Sequence, residues 1–187
     1  SSETELFHII CQNAITFDGI KMAWIGLIDE SRQHIKPVTR YGEGIDYIET
    51  AGIPLDLNNP LGNEPTAIAV RSDHCYWSQD FGQDSNLTAW HSRAAQFGWK
   101  SAGALPLHRN GTVIGTLTLY SNKLKTFDDY LQNLLIEIGV DIDYALNNFQ
   151  QETRRKLAEA TLREGEEQLR SITNNAGALI FLKDLDG

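Results

Sequence analysis

Between two apolar runs, Ser101–His108 and Thr112–Ser121, sits Arg109-Asn110-Gly111. An Asn-Gly pair in that setting accepts positive φ at both central residues and folds the chain tightly back on itself. It is the strongest hairpin signal in the chain, and it commits this stretch to antiparallel pairing.

Other elements build outward from that hairpin. Leu6, Phe7, Ile9, Ile10 and Ala14 recur at three- and four-residue steps and predict an amphipathic first helix, ended by Asp18-Gly19. Lys21 to Asp29 is almost continuously apolar and reads as a central strand buried on both faces, followed by a polar turn and a second strand, His34 to Tyr41. Residues 45–63 are irregular, punctuated by Gly52, Pro54, Pro60 and Gly62. Pro65 opens a short helix over Thr66–Val70, a strand follows at Cys75–Ser78, and another helix at Leu87–Phe97. This order predicts an α+β fold, an antiparallel sheet with its helices gathered on one face.

Beyond Phe127 the period changes. Leu131, Leu135, Ile138, Ile142, Ala145 and Phe149 form a heptad seam, interrupted where Glu152 and Lys156 replace apolar residues. A second seam starts in a shifted phase with Ala158, Leu162, Gly165, Leu169 and Ile172. The first seam suits either packing on the domain or self-association. The second has no domain left to cover, so a homodimer through the terminal helices is expected.

Composition narrows the function classes. The net charge of −9 and a pI near 4.9 disfavour a nucleic-acid binder, which needs clustered Lys and Arg. No apolar run is long enough to span a bilayer, and no secretory signal pattern opens the chain. Cys11 and Cys75 lie far apart without paired spacing, so neither a zinc site nor a disulfide framework is indicated, and a cytoplasmic protein is expected. No Ser-His-Asp set, carboxylate pair or phosphate-cradling glycine loop stands in a catalytic setting, so no catalytic residue, metal or cofactor is predicted.

The segments "MAWIGLID" (22–29), "NEPTAIAVRSDHCYWSQDF" (63–81), "FGWKSAGALPLHRNGTVIGTLTLYS" (97–121) and "FDDYLQNLLIEIGVDIDYAL" (127–146) follow one another in an order that resembles GAF domains of bacterial histidine kinases and cyclic-dinucleotide enzymes. The resemblance implies a GAF-like six-stranded antiparallel sheet, with the first and last helices on one face and a pocket on the other. It places the domain at residues 1–150, a helical coiled-coil linker at 151–175, and at 176–187 the truncated first strand of a PAS domain, which "EEQLRSITNNAGALIFLKDLDG" (166–187) resembles. The fragment then reads as cut from a larger signalling protein, with a PAS module and a histidine kinase or diguanylate cyclase/phosphodiesterase output in cis.

Activities known in the family can be checked against these residues. Methionine sulfoxide reduction needs neighbouring cysteines, and Cys11 falls on a helix while Cys75 falls on a strand. Covalent bilin attachment needs a Cys-His pair where this chain has Trp90-His91, so a bilin is not expected. A haem would need an axial ligand, and of the five histidines only His91 falls near the implied crevice, so haem is not expected either. Asn122-Lys123 and Phe127 touch on a cyclic-nucleotide motif, but Asp128-Asp129 follow at once and read as a helix entry.

Trp77, Asp80, Trp90, His91 and Trp99 occupy the segments the family uses as a pocket lid, and Tyr41 and Thr118 fall on strands that suit a floor. Aromatics with a few polar groups fit a small, flat or partly apolar ligand. The same tryptophans equally suit a closed, empty core. The expected function is thus a regulatory sensory domain relaying a small-molecule signal through its C-terminal helix. The alternative is a ligand-free dimerisation and spacer module.

Overall fold

The computed structural model describes residues 2–49 and 52–185. In chain order its elements are α1 (Glu3–Ala14), β1 (Ile20–Ile28), β2 (His34–Gly42), β3 (Ile53–Pro54), α2 (Pro65–Ser72), β4 (Tyr76–Ser78), α3 (His91–Phe97), β5 (Ser101–Arg109), β6 (Thr112–Ser121) and α4 (Asp129–Leu185). Short 3₁₀ turns lie at Ile45–Tyr47, Pro60–Gly62 and Ser85–Trp90. One six-stranded antiparallel sheet runs in the order β3-β2-β1-β6-β5-β4. The Asn-Gly turn behaves as its chemistry requires, with φ of 52° at Asn110 and 74° at Gly111.

Side chains alternate across the strands. Ala23 and Ile25 of β1, Leu105 and Leu107 of β5, and Leu117 and Leu119 of β6 face the terminal helices. From α1 they meet Phe7, Cys11 and Ala14, spaced i, i+4 and i+7 on one stripe. Ser2 and Glu5 close a capping box that starts α1: the Ser2 Oγ accepts from Glu5 N–H at 3.2 Å, and the Glu5 carboxylate accepts from Ser2 N–H at 3.3 Å. From α4 come Leu131, Leu135, Ile142 and Leu146, with Ile138 packed beside them. Each fully buried Leu or Phe here stabilises the fold by about 1.5–3 kcal/mol. Of the two roles open for the first heptad seam, packing on the sheet is the one its buried members perform.

The opposite face carries Met22, Trp24, Ala102 and Tyr120, covered by α2, α3 and the loops between β2 and α2. The strand β3 has no periodic signal, being two residues paired with His34 and Ile35.

Two compact units result, Ser1–Asn147 and Asn148–Gly187. In the second, Leu162, Leu169 and Ile172 are exposed, and three i,i+4 ion pairs line the helix: Lys156–Glu152, Arg155–Glu159 and Arg163–Glu167. Residues 176–185, where the resemblance implied a PAS strand, are helical in the structure. A lone strand has no ladder partner, whereas extending an existing helix adds one hydrogen bond per residue ordered. Positions 186–187 of that expected segment lie outside the described residues. Among the described residues, no helix is long and apolar enough to cross a membrane.

Candidate functional site

Glu64 is the residue around which the second face is organised. It stands immediately before Pro65, the first residue of α2, and serves as that helix's N-cap, with Oε2 accepting from Thr66 N–H at 2.7 Å. Glutamate is not a preferred cap, and this one is 0% exposed. Its Oε1 accepts from the Tyr120 hydroxyl on β6. Around it the hydroxyls of Thr66 and Thr118 meet at 2.9 Å, and those of Thr116 and Thr118 at 3.3 Å. Burial pushes the Glu64 carboxyl from 4.5 up to about 7, against the opposing pull of its Thr66 and Tyr120 hydrogen bonds.

An aromatic wall encloses this acid. The Tyr47 ring lies 5.0 Å from Tyr120, 5.6 Å from Trp90, 5.6 Å from Phe97 and 6.3 Å from Trp99, while Trp99 stacks on Tyr120 at 5.6 Å. Among the described residues, the Trp99 indole N–H and the Tyr47 hydroxyl have no hydrogen-bond partner, while the Trp24 indole N–H interacts with the Tyr120 hydroxyl. Buried donors are rarely left so, and the Tyr47 hydroxyl is close enough to couple electrostatically with the buried Glu64 carboxyl.

A surface cleft of about 190 Å³ opens above Trp90, between Glu49, Ile53, Leu61 and Arg93. Trp90 separates it from the Tyr47 ring, with its indole N–H donating to the Leu61 carbonyl at 3.0 Å. Arg93 donates to the carbonyls of Tyr47 and Asp46, both at 2.8 Å, and pairs with Glu49 at 3.2 Å. From the other side Arg40 donates to the Ile48 carbonyl at 2.7 Å. Two guanidinium groups therefore hold the turn that seats Tyr47.

The residues expected to line a pocket separate into groups. Trp90, Trp99 and Thr118 come together on this face. Tyr41 and Trp77 do not. Tyr41 pairs with Ala23 in the sheet and packs against His8 of α1 at 5.6 Å. Trp77 pairs with Gly103 and lies on Phe127 at 5.6 Å. A Cβ at Gly103 would approach the Trp77 ring to 2.6 Å, so the glycine is what lets that ring lie flat on the helix side. His91 starts α3, its Nε2 2.9 Å from the Asp84 carbonyl oxygen. Asp80 shapes a turn, its Oδ1 accepting from Gln83 N–H at 3.3 Å.

Glu64, Tyr47, Tyr120, Thr66 and Trp24 were not among the expected residues. A carboxylate immediately before a proline-initiated helix was the available signal, but it reads equally as a solvated acid at a helix dipole.

The first 147 residues match the family model described as GAF domain. The chain belongs to the GAF domain family. Among curated protein sequences none matches it. Solved structures do resemble this GAF domain. The free methionine-R-sulfoxide reductase of Neisseria meningitidis, in complex with its substrate, has a TM-score of 0.67 at 16% identity, over 81% of each chain. A domain assigned to a two-component sensor histidine kinase protein of Sinorhizobium meliloti 1021 has a TM-score of 0.63 at 15% identity, over 83% of this chain and 98% of that one. The GAF domain of an Acinetobacter phosphoenolpyruvate-protein phosphotransferase has 0.60 at 12% identity, over 82% and 87%. At these identities the likeness is one of fold, shared by a reductase and by domains of a sensor histidine kinase protein and a phosphotransferase.

Both thiols of this GAF domain are held protonated. Burial raises Cys11 to about 12 and raises Cys75 as well, each against a backbone hydrogen bond that lowers it. Among the described residues, no group of three or more His, Cys, Asp and Glu side chains is placed to hold a metal ion.

Proposed function

We propose that this GAF domain is a regulatory module which binds a small molecule against Glu64 and passes its occupancy along α4 to downstream domains in cis. The observation that carries this is the wholly buried Glu64 carboxyl inside an aromatic wall that also holds the unpartnered Tyr47 hydroxyl and Trp99 indole N–H. A buried acid raised to about 7 weakens the fold wherever it ionises, so the arrangement reads as a retained function. The protonated thiols argue against thiolate chemistry of the reductase kind.

A physical route to α4 starts at the site. Glu64 caps one end of α2, and Asp73 stands at its other end with φ of 54°. Asp73 lies 2.7 Å from His108 Nε2, and Asp143 of α4 lies 2.7 Å from His108 Nδ1 and accepts from the His108 backbone N–H at 2.7 Å. Burial lowers the His108 pKa, but the two carboxylates outweigh it and raise the value overall. A shift of α2 forced at Glu64 is thereby coupled to α4 through a charged clamp. Beyond Asn147 we assign Leu162, Leu169 and Ile172 to a homodimer seam, with a PAS module and an output domain following in a cytoplasmic parent protein.

Native mass spectrometry with a metabolite thermal-shift screen tests the proposal. A ligand that stabilises the protein and is lost in Glu64→Gln supports it. Dimers that form through Leu162 and Leu169 with no ligand of any class leave the second reading, a spacer that pairs its output domains. That reading is favoured by the exposed seam and by the Tyr47 ring filling the site.

A further inference from the structure

The Tyr47 ring and the acid behind it bear on the charge of the ligand. Tyr47 is wholly buried at the hub of the aromatic wall, yet its hydroxyl has no partner. It stands near enough to Glu64 and Tyr120 to couple electrostatically with both. A ring that fills space while leaving its own hydroxyl and the Trp99 indole N–H unsatisfied is a poor permanent occupant. Its seat is also separable from the core. The turn carrying it follows Gly44, at φ of 67°, and is fastened by arginine-to-carbonyl hydrogen bonds from Arg40 and Arg93.

Besides the Trp99 indole N–H and the threonine hydroxyls, the enclosure offers an incoming group the Glu64 carboxyl oxygen pair and the faces of several electron-rich rings, with the Arg93 guanidinium at the cleft, 5.7 Å from the Tyr47 ring centroid. An anion would be driven against Glu64 in a medium of low polarity. A neutral alcohol would repeat what the Tyr47 hydroxyl already fails to achieve. An ammonium group has N–H donors for the carboxylate and a charge that the Tyr120, Trp90 and Trp99 rings attract.

We propose that the site takes a compact organic ammonium compound, which enters from the cleft over Trp90, displaces the Tyr47 ring and pairs with Glu64. This rests on the reading above that this face holds a ligand. The proton balance follows from the chemistry. An alkylammonium keeps its charge below pH of about 10, whereas free Glu64 at about 7 is partly protonated. Pairing ionises the acid and releases up to one proton per ligand, so affinity rises with pH across neutrality, approaching about tenfold per pH unit on the acid side.

The test is isothermal titration of the full chain on either side of neutral pH, in buffers of different ionisation heat. The probes are n-propylammonium, ethanolammonium and tetramethylammonium, with n-butanol and propionate as neutral and anionic counterparts. At least one ammonium probe is expected to bind with proton release, and neither counterpart to compete with it. Glu64→Gln is expected to weaken binding and remove its pH dependence. Tyr47→Ala, by emptying the seat, is expected to tighten binding about tenfold or more, because the open form no longer has to be populated first. Arg93→Ala, which removes the hydrogen bonds to the Tyr47 and Asp46 carbonyls and the guanidinium over the Tyr47 and Phe97 rings, is expected to move affinity in the same direction if Tyr47→Ala fails to fold. Preference for n-butanol or propionate overturns the ammonium proposal and leaves the ligand-binding reading intact, as does ammonium binding that survives Glu64→Gln with its pH dependence unchanged. Failure of every probe, of any charge, on both the native protein and the opened variants overturns both.

Discussion

The two faces of one sheet are built on different principles. The face under α1 and α4 is closed by aliphatic side chains, Ile25, Leu105, Leu117, Leu135 and Ile142 among them, with Phe7 and Phe127. The face under α2 and α3 holds Trp24, Tyr47, Trp90, Trp99 and Tyr120 around a buried glutamate and three threonine hydroxyls. The first face maximises apolar burial, which is what stability requires. The second buries an acid together with the unpartnered Trp99 indole N–H and Tyr47 hydroxyl. Where one side of a fold departs further from its packing rules, that side is where function is sought.

Substitutions on each face test this contrast. The largest effect is expected on the aliphatic face: Leu135→Ala, at a position 1% exposed, should cost about 2–5 kcal/mol by urea denaturation, at all pH values alike. On the aromatic face Tyr120→Phe removes the donor to Glu64. It should cost about 1–3 kcal/mol above neutral pH, and less in acid where Glu64 carries its own proton. Equal costs at both pH values would show that the hydroxyl does not serve the carboxylate.

The clamp between the faces should matter less. Because the His108 pKa is raised, its stabilising contribution is fully present below about 6.5 and is lost as pH rises through the higher folded value. The groups are partly exposed, so the difference from His108→Asn should stay within about 1 kcal/mol. Hydrogen exchange in residues 129–147 would report whether α4 loosens with it. Arg155→Ala, in the second unit, should change helix stability by a few tenths of a kcal/mol at most and leave both faces untouched.

The sequence made the sheet's hairpins legible because turn chemistry is local. Asn110-Gly111 needs no distant partner to specify its φ values, and the periodicity of α1 and of the first part of α4 survives in composition alone. Strand facing was not legible in the same way. In β1 both Ala23 and Trp24 are buried, so the apolar run carries no parity, and Tyr41 opposite Ala23 and Trp77 opposite Gly103 were placed on the wrong side. Glu64 was out of reach for a different reason. Its burial comes from Tyr120, 56 residues away, and from a loop whose two-residue strand has no pattern. Trp90, Trp99 and Thr118 were legible because the family resemblance located their segments, not because their neighbours were known.

On the proposal made above, Glu64 is kept for a ligand and at a cost to the fold. A carboxyl moved from 4.5 to about 7 makes the folded state about 3 kcal/mol less favourable above neutrality than in acid, the loss accruing as pH rises between those two values. The most direct measurement is the stability of Glu64→Gln beside the native protein by chemical denaturation, at about pH 5 and about pH 8. The expected result is a native protein that weakens between the two while the variant does not, with the variant at least as stable at the higher pH and unable to bind ligand. A variant less stable than the native protein at the higher pH would contradict this, because Glu64 would then be a structural acid that the fold itself requires.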